Sequence, residues 1–284
     1  MKKFLAMTMA LAMVLSLAAC GGNGGSSSKG SASSAGTSAS AGTSASASTS
    51  EPAVLPTIEA GKLIMSTNAS FPPYEMTDDS GKIIGIDAEI AEAIAGKLGL
   101  ELVIDDMDFD AALLAAQQGK SDIVMAGVTV NEDRLLVMDF SDSYATGVQV
   151  VIVKEGSDVT MDNLGEKMIG AQRGTTGYIY ASDTPENGGY GEDHVIAYDN
   201  GATAVQALKN GQVDCVIIDN APAQEYVKAN PGLAILDGEW VTEDYAIGVA
   251  KGNTALVEAV NGALAELTAD GTVQAILDKY ITAD

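Results

Sequence analysis

The sequence predicts an α/β fold, and three observations carry that reading. From Gly61 onward, short apolar runs of strand length alternate with longer stretches whose apolar residues recur at helical spacing. The runs end at Gly, Asn or Asp, as strand-to-helix turns do. The pattern then repeats as a second, similar set after about residue 150, in a chain of 284 residues with room for one sizeable core or two modest ones. Strand–helix–strand alternation implies parallel sheets with helices on both faces.

In order, Met1 to Cys20 has the form of a secretion leader: Lys2 and Lys3, an apolar run from Phe4 to Leu17, then small residues. The run is short for a membrane span. Leu17-Ala18-Ala19-Cys20 resembles the lipobox of bacterial lipoproteins, which implies a signal peptide over 1–19 and a lipidated Cys20; the alternative is an ordinary leader with a chance cysteine. Gly21 to Ser50 is almost wholly Gly, Ser, Ala and Thr and lacks the apolar residues to build a core, so 20–57 reads as a flexible tether. Lys62 to Thr67 is a strand and Asn68 to Glu75 a proline-stiffened loop. Asp87 is the expected cap of a helix with Ile86, Ile90, Ile94 and Leu98 on one face, ended by Gly99. Leu100 to Ile104 is a strand, and Asp108-Phe109-Asp110 opens an Ala/Leu helix stopped at Gly119. Ile123 to Ala126 is a strand that breaks at Gly127, with Asn131 capping the next helix. Gly147 to Val153 is a strand leaving the first set. The second set reads as strands 167–171, 195–197, 213–219 and 233–236, with helices 175–181, 202–209 and 221–229. Residues 183–193 form a loop, 245–250 are again apolar, and helices 255–268 and 273–280 close the chain.

Composition removes several functions. The formal net charge is −24, which argues against nucleic acid and anionic membrane surfaces as partners. His194 is the single histidine, in a polar stretch, so a His-based metal site or catalytic triad is not expected, and no cofactor or metal is. Cys215 lies in an apolar run, where a buried, inert thiol is the reading.

The stretch Ala126-Gly-Val-Thr-Val-Asn-Glu-Asp-Arg134 carries chemistry. A strand end, backbone N–H groups, the Thr129 hydroxyl and the Arg134 guanidinium together suit a carboxylate, because Arg presents a planar fork to two oxygens. Arg134 and Arg173 are the only two arginines, against thirteen lysines. Taken alone, the stretch reads rather as Arg134 pairing with Glu132 or Asp133 on a solvated helix face.

That stretch, followed by Asp139-Phe-Ser-Asp-Ser-Tyr144, resembles the signature of the polar-amino-acid family of extracellular solute-binding proteins, the receptors of ABC-type importers. The resemblance runs from about Gly61 to Tyr280. It implies the type II periplasmic-binding-protein fold: two lobes, each a mostly parallel sheet flanked by helices, joined by two hinge crossings near Tyr144–Val148 and Glu243–Ile247. Lobe 1 would comprise 58–147 and 244–284, and lobe 2 would comprise 148–243. By motif match, Arg134 and Thr129 would grip an α-carboxylate, with Gly127 and Val128 as backbone contacts. Thr175, Thr176 and Gly177, in the turn Gly174-Thr-Thr-Gly177, would meet the same anion; by itself the turn reads as a plain N-cap at Thr175. Asp219 would bind the ammonium, and would otherwise cap the helix from Ala221. Phe71 and Phe109 would sandwich the side chain, core packing being the alternative. At Asn68, relatives that take cationic or amide side chains often carry an acid; its neutrality points to a polar ligand that is not strongly cationic. Tyr74 either lines the entrance or packs, and Glu75 and Gln172 are not assigned.

The resemblance implies a monomeric, non-enzymatic receptor that captures a free polar L-amino acid by hinge closure and delivers it to an ABC permease from a lipid anchor on the outer face of the cytoplasmic membrane. A sensor presenting ligand to a membrane receptor is not separable from this by sequence. A cyclohexadienyl-dehydratase-like enzyme on the same fold would need a free acid or base, and the site has neither His nor Lys.

Overall fold

The computed structural model describes residues 55–281. The leader, Cys20 and nearly all of the tether lie outside the described residues. The chain enters through Asp122, whose two carboxylate oxygens accept from the backbone N–H groups of Ile58 and Ile64, each at 2.8 Å. β1 (Lys62–Thr67) follows, paired in parallel with β5 (Glu101–Asp106) and β6 (Ile123–Val124).

The proline-stiffened loop holds structure that hydropathy does not reveal. β2 (Ser70–Phe71), β3 (Glu75–Thr77) and β4 (Ile83–Ile84) make a small antiparallel sheet, too short for any periodicity to show. It leads into α1 (Ile86–Leu98) at Gly85, where φ is 128° and a Cβ would strike the Tyr74 carbonyl, so only glycine fits. Ile86, Ile90 and Ile94 are buried on one face as their spacing requires, and Gly99 closes the helix in the left-handed conformation. The expected cap at Asp87 is corrected. Gly85 holds the cap position, and Asp87 lies one residue inside the helix, fully buried and turned to other partners.

α2 (Phe109–Gln117) lies between β5 and β6 in sequence. α3 (Glu132–Val137) starts at Asn131, whose side chain accepts from the Arg134 N–H at 2.8 Å, as expected of an N-cap. α3 runs straight into β7 (Met138–Lys154), a strand of 17 residues and much longer than the apolar run at its end suggested. In its first half only every third residue is buried (Met138, Ser141, Tyr144 and Gly147), so it does not read as continuously apolar.

The second set contains β8 (Ile169–Gln172), α4 (Thr176–Ser182), β9 (Val195–Tyr198), α5 (Gly201–Asn210), β10 (Cys215–Asp219), α6 (Asn220–Ala229) and β11 (Leu233–Ile235). The loop over 183–193 carries two short helical turns. β12 (Val241–Ala250) then returns antiparallel along β7, before α7 (Thr254–Ala269) and α8 (Thr272–Tyr280).

β7 and β12 pair from Val241↔Gln149 to Ala250↔Met138, with register breaks around Ala246. Because both strands are common to the two sets, the nine strands other than β2, β3 and β4 join into one sheet in the order β5-β1-β6-β12-β7-β10-β8-β9, with β11 also on β7. The sheet is therefore mixed, parallel within each set and antiparallel where they meet. Apolar clusters back each part. One centres on Leu63, Ile90, Ile123 and Leu264 with Leu208 and Val216, and another on Val151, Ile169 and Ile217. Cys215 is fully buried, and burial pushes its thiol up to about 12, leaving it protonated and unreactive. Among the described residues no helix is long and apolar enough to cross a membrane, and no cluster of metal-ligating side chains occurs.

Candidate functional site

In parallel sheets the carboxyl ends of the strands open toward one side, and loops leaving them converge there. Here Asn68 follows β1, Phe109 follows β5, Gly127 and Thr129 follow β6, Thr175 and Thr176 follow β8, and Asp219 ends β10. All of these line a single small cavity together with Phe71, Arg134, Glu75 and Gln172, about 20 Å³ in volume.

Arg134 is buried, at 7% exposure. Its Nη1 donates to the Thr129 carbonyl at 2.8 Å and its Nη2 to the Gly174 carbonyl at 3.0 Å, while the guanidinium stands 5.5 Å from the Phe109 ring centre. The alternative of a solvated pair with Glu132 or Asp133 is not realised. A guanidinium has five N–H donors, so two carbonyl bonds leave donors for an anion. Burial lowers its pKa from the ordinary value, and Glu243 opposes that.

Asp219 heads α6 but makes no side-chain capping bond. Its Oδ2 accepts from Gln149 Nε2 at 2.9 Å, and its Oδ1 receives no protein donor. Burial pushes its carboxyl up to about 7, with Tyr245 and Gln149 working against the shift and Glu243 adding to it. The cavity thus presents one buried cation, Arg134, and two buried, incompletely bonded acids, Asp219 and Glu75; Arg134 and Asp219 are complementary to the two poles of a zwitterion.

Gly127 takes a left-handed φ of 56°, and a Cβ there would come within 2.8 Å of the Phe71 ring. Backbone and aromatic therefore approach too closely for any other residue. Phe71 stacks on Tyr74 at 5.9 Å, and Tyr74 is buried against Tyr245, so it packs rather than guarding an entrance. Asn68 donates from Nδ2 to the Met107 carbonyl at 2.9 Å and accepts from Gln172 Nε2 at 3.0 Å, tying the first set to the second. Thr175 caps α4, accepting from the Tyr178 N–H at 3.3 Å. Two expected residues do not reach the cavity wall. The Val128 side chain is buried in the core beside Val124 and Met138, and Gly177 packs behind the wall against Gln149 and Ile217.

A family model described as bacterial extracellular solute-binding proteins, family 3, matches residues 63–283. The chain belongs to that family. It is 32% identical over 230 residues to the L-cystine-binding protein TcyJ of Escherichia coli K12, covering 80% of this chain and 85% of that protein. Among solved structures, it is 41% identical to an ancestral arginine-binding protein bound to arginine, with a TM-score of 0.72 over 78% of this chain and 98% of that one. It is 40% identical to an ancestral arginine-binding protein bound to glutamine, with a TM-score of 0.73 over 79% of this chain and all of the other. The fold of this family-3 protein is the two-lobed type II periplasmic-binding-protein fold.

Around the cavity lie further buried polar residues that the motif does not contain. Glu243, on β12, accepts through Oε2 from Thr176 Oγ1 at 2.7 Å, Gln149 Nε2 at 3.0 Å and Thr129 Oγ1 at 3.2 Å. One carboxylate thereby collects hydroxyls from both sets at the strand pair that joins them. Gln149 was visible in sequence as a lone polar residue in an apolar strand, and Glu243 as an acid at an expected hinge crossing. Asp87 accepts from the Gly127 N–H at 2.9 Å and from the Tyr144 hydroxyl at 2.7 Å, fixing the strained turn after β6. No local signal distinguished it from an N-cap. Glu75, fully buried, lines the cavity itself.

Proposed function

We propose that this family-3 protein is the substrate-binding component of an ABC importer and captures a free polar L-amino acid. The observation that carries this is the pairing of Arg134 and Asp219 across one small buried cavity. A bound α-carboxylate would take the remaining guanidinium donors and the Thr129 and Thr176 hydroxyls. The α-ammonium would donate to the Asp219 oxygen that has no protein donor. A ligand lacking either group would leave a buried charge unmatched, which costs several kcal/mol and enforces selectivity. The relatives support the reading, since those compared are named for binding cystine, arginine or glutamine.

Capture works by closure. Residues 58–147 with 244–284 form one lobe and 148–243 the other, flexing near Tyr144–Val148 and Glu243–Ile247. Only the closed state offers contacts from both lobes, so ligand favours it. Cys20 carries the lipid anchor after removal of residues 1–19, and the tether lets the closed form reach the permease. A thermal-shift screen against the twenty amino acids with cystine and ornithine, followed by calorimetry, tests the function, since ligand that binds only the folded state raises the melting temperature. A panel with no shift at any concentration refutes it.

A further inference from the structure

We propose that Glu243 is an internal competitor of the bound amino acid. Its carboxylate holds the same two hydroxyl hydrogens, of Thr129 and Thr176, that the ligand's α-carboxylate would take, and so it sets how tightly every ligand is held. The proposal rests on the amino-acid reading above. It concerns a residue behind the cavity wall rather than one that touches the ligand.

An acid set against the donors of an anion site works against that site, since like charges repel. Thr129 comes from the first set and Thr176 from the second, and both line the cavity. Both nevertheless turn their hydroxyls to Glu243 Oε2, at 3.2 and 2.7 Å. The two hydroxyl oxygens lie 3.5 Å apart, so a single carboxylate oxygen serves as acceptor for both. A hydroxyl carries one hydrogen, free to rotate about its Cβ–Oγ1 bond. Each can therefore serve Glu243 or a ligand carboxylate, but not both at once. Rotation of the two hydrogens is all that the exchange requires.

The exchange leaves Glu243 poorly served. Its Oε2 keeps only the Gln149 amide at 3.0 Å, a donor shared with Asp219 at 2.9 Å, and its Oε1 has no protein donor. Glu243 is buried, and a buried carboxylate stripped of donors is destabilised. Arg134 is the nearby cation, yet its hydrogen bonds go to the Thr129 and Gly174 carbonyls. The remaining charged or phenolic groups around Glu243 are Asp219, Tyr180 and Tyr245, none of them a counter-charge. The bound state thus carries a penalty at Glu243 that is relieved when the ligand leaves. It acts through the α-carboxylate, common to all amino acids, and lowers affinity without choosing among side chains. An arrangement whose anion donors are already engaged excludes the ligand carboxylate, so stabilising it weakens apparent binding. A receptor that must give up its cargo needs such a limit on its grip.

The test is calorimetry on the unmodified chain and on Glu243→Gln with each of the twenty L-amino acids, cystine and ornithine. A neutral amide is a weaker acceptor than a carboxylate, so affinity is expected to rise by about 10-fold, and by the same factor for every amino acid that the unmodified chain binds. Thr176→Val removes the hydrogen that Glu243 holds at the shorter distance. In that background the gain is expected to shrink to about 3-fold or less, which separates competition for a hydrogen from a general effect on the fold. Melting curves without ligand report that each variant is folded. Glu243→Ala removes the acceptor altogether, is expected to tighten binding as well, and carries the test if Glu243→Gln does not fold. Unchanged or weaker binding in a folded variant, a gain confined to some amino acids, or a gain that persists in full beside Thr176→Val each overturns this proposal and leaves the amino-acid reading intact. Failure of both Glu243 variants to fold makes the carboxylate a structural group and overturns it likewise. If the unmodified chain binds no amino acid, that reading falls and this one with it.

Discussion

Replacing Arg134 with alanine tests the site at its most committed residue. Two effects separate. The first is on the fold: the Thr129 and Gly174 carbonyls each lose a charged donor, at 2.8 and 3.0 Å, and the cation over Phe109 is lost. Unpaired buried carbonyls cost about 1–3 kcal/mol each, partly recovered if water enters the space left. For a chain of this size about 2 kcal/mol lowers the melting temperature by roughly 4–8 °C. The second effect is on the ligand: removing one partner of a buried charged pair costs about 2–5 kcal/mol, or roughly 30- to several-thousand-fold in dissociation constant. Arg134→Lys separates them further, keeping the charge but losing the planar fork, and should recover stability more than affinity. Calorimetry with the best ligand from the screen, alongside melting curves without ligand, reads both. An affinity within about threefold of the parent, in a variant that melts normally, refutes the assignment of Arg134 to the carboxylate.

Asp219 and Asp87 are pushed up to about 7 and about 6 by burial, so the folded empty protein holds protons that the unfolded chain has released. Stability contributed by these groups is present below about pH 4 and is lost as pH rises toward about 7, so the unliganded melting temperature should be higher at pH 5 than at pH 8; a flat or rising profile contradicts this. Asp219→Asn should flatten that dependence and weaken amino-acid binding by about 30-fold or more in calorimetry, the α-ammonium having lost its charged acceptor. Gly147→Ala would drive a methyl into the Tyr245 hydroxyl and within 2.7 Å of Asp219 Oδ1, and should cost about 1–3 kcal/mol in denaturant unfolding along with affinity. Tyr226→Phe removes the 2.9 Å bond to the Ser70 carbonyl that links α6 to β2, and should weaken ligand binding by about 2- to 10-fold without altering selectivity across the amino-acid panel.

The α/β character, most strands and most helices were legible because each rests on local periodicity and on caps such as Asn131, Thr175 and Gly99. The short sheet β2-β3-β4 was not, since two or three residues carry no period. The first half of β7 was hidden because only every third residue of it is buried, which gives no strand period, and because the acidic residues Asp139 and Asp142 resemble loop. The cavity residues were legible through the motif resemblance, with their place after strands in agreement, and Asn68, Phe71, Phe109, Thr129, Arg134 and Asp219 do converge. Glu75, Gln149 and Glu243 were not assigned, because their roles depend on which strand lies beside which. Asp87 was misjudged for a related reason: a helix-start acid and a buried acid turned toward Gly127 look alike in sequence.

Arg134 sits four residues before the start of β7 and Gln149, which bonds Asp219, lies within that strand, so the two are mounted on one continuous run of backbone. Side chains on a strand alternate between faces. One residue inserted or deleted between Tyr144 and Gln149 would rotate the Gln149 amide to the opposite surface and strip two carboxylates of their shared donor. Length in that segment should therefore be far less forgiving than side-chain identity, and engineered linkers or reporter insertions belong in the 183–193 loop instead.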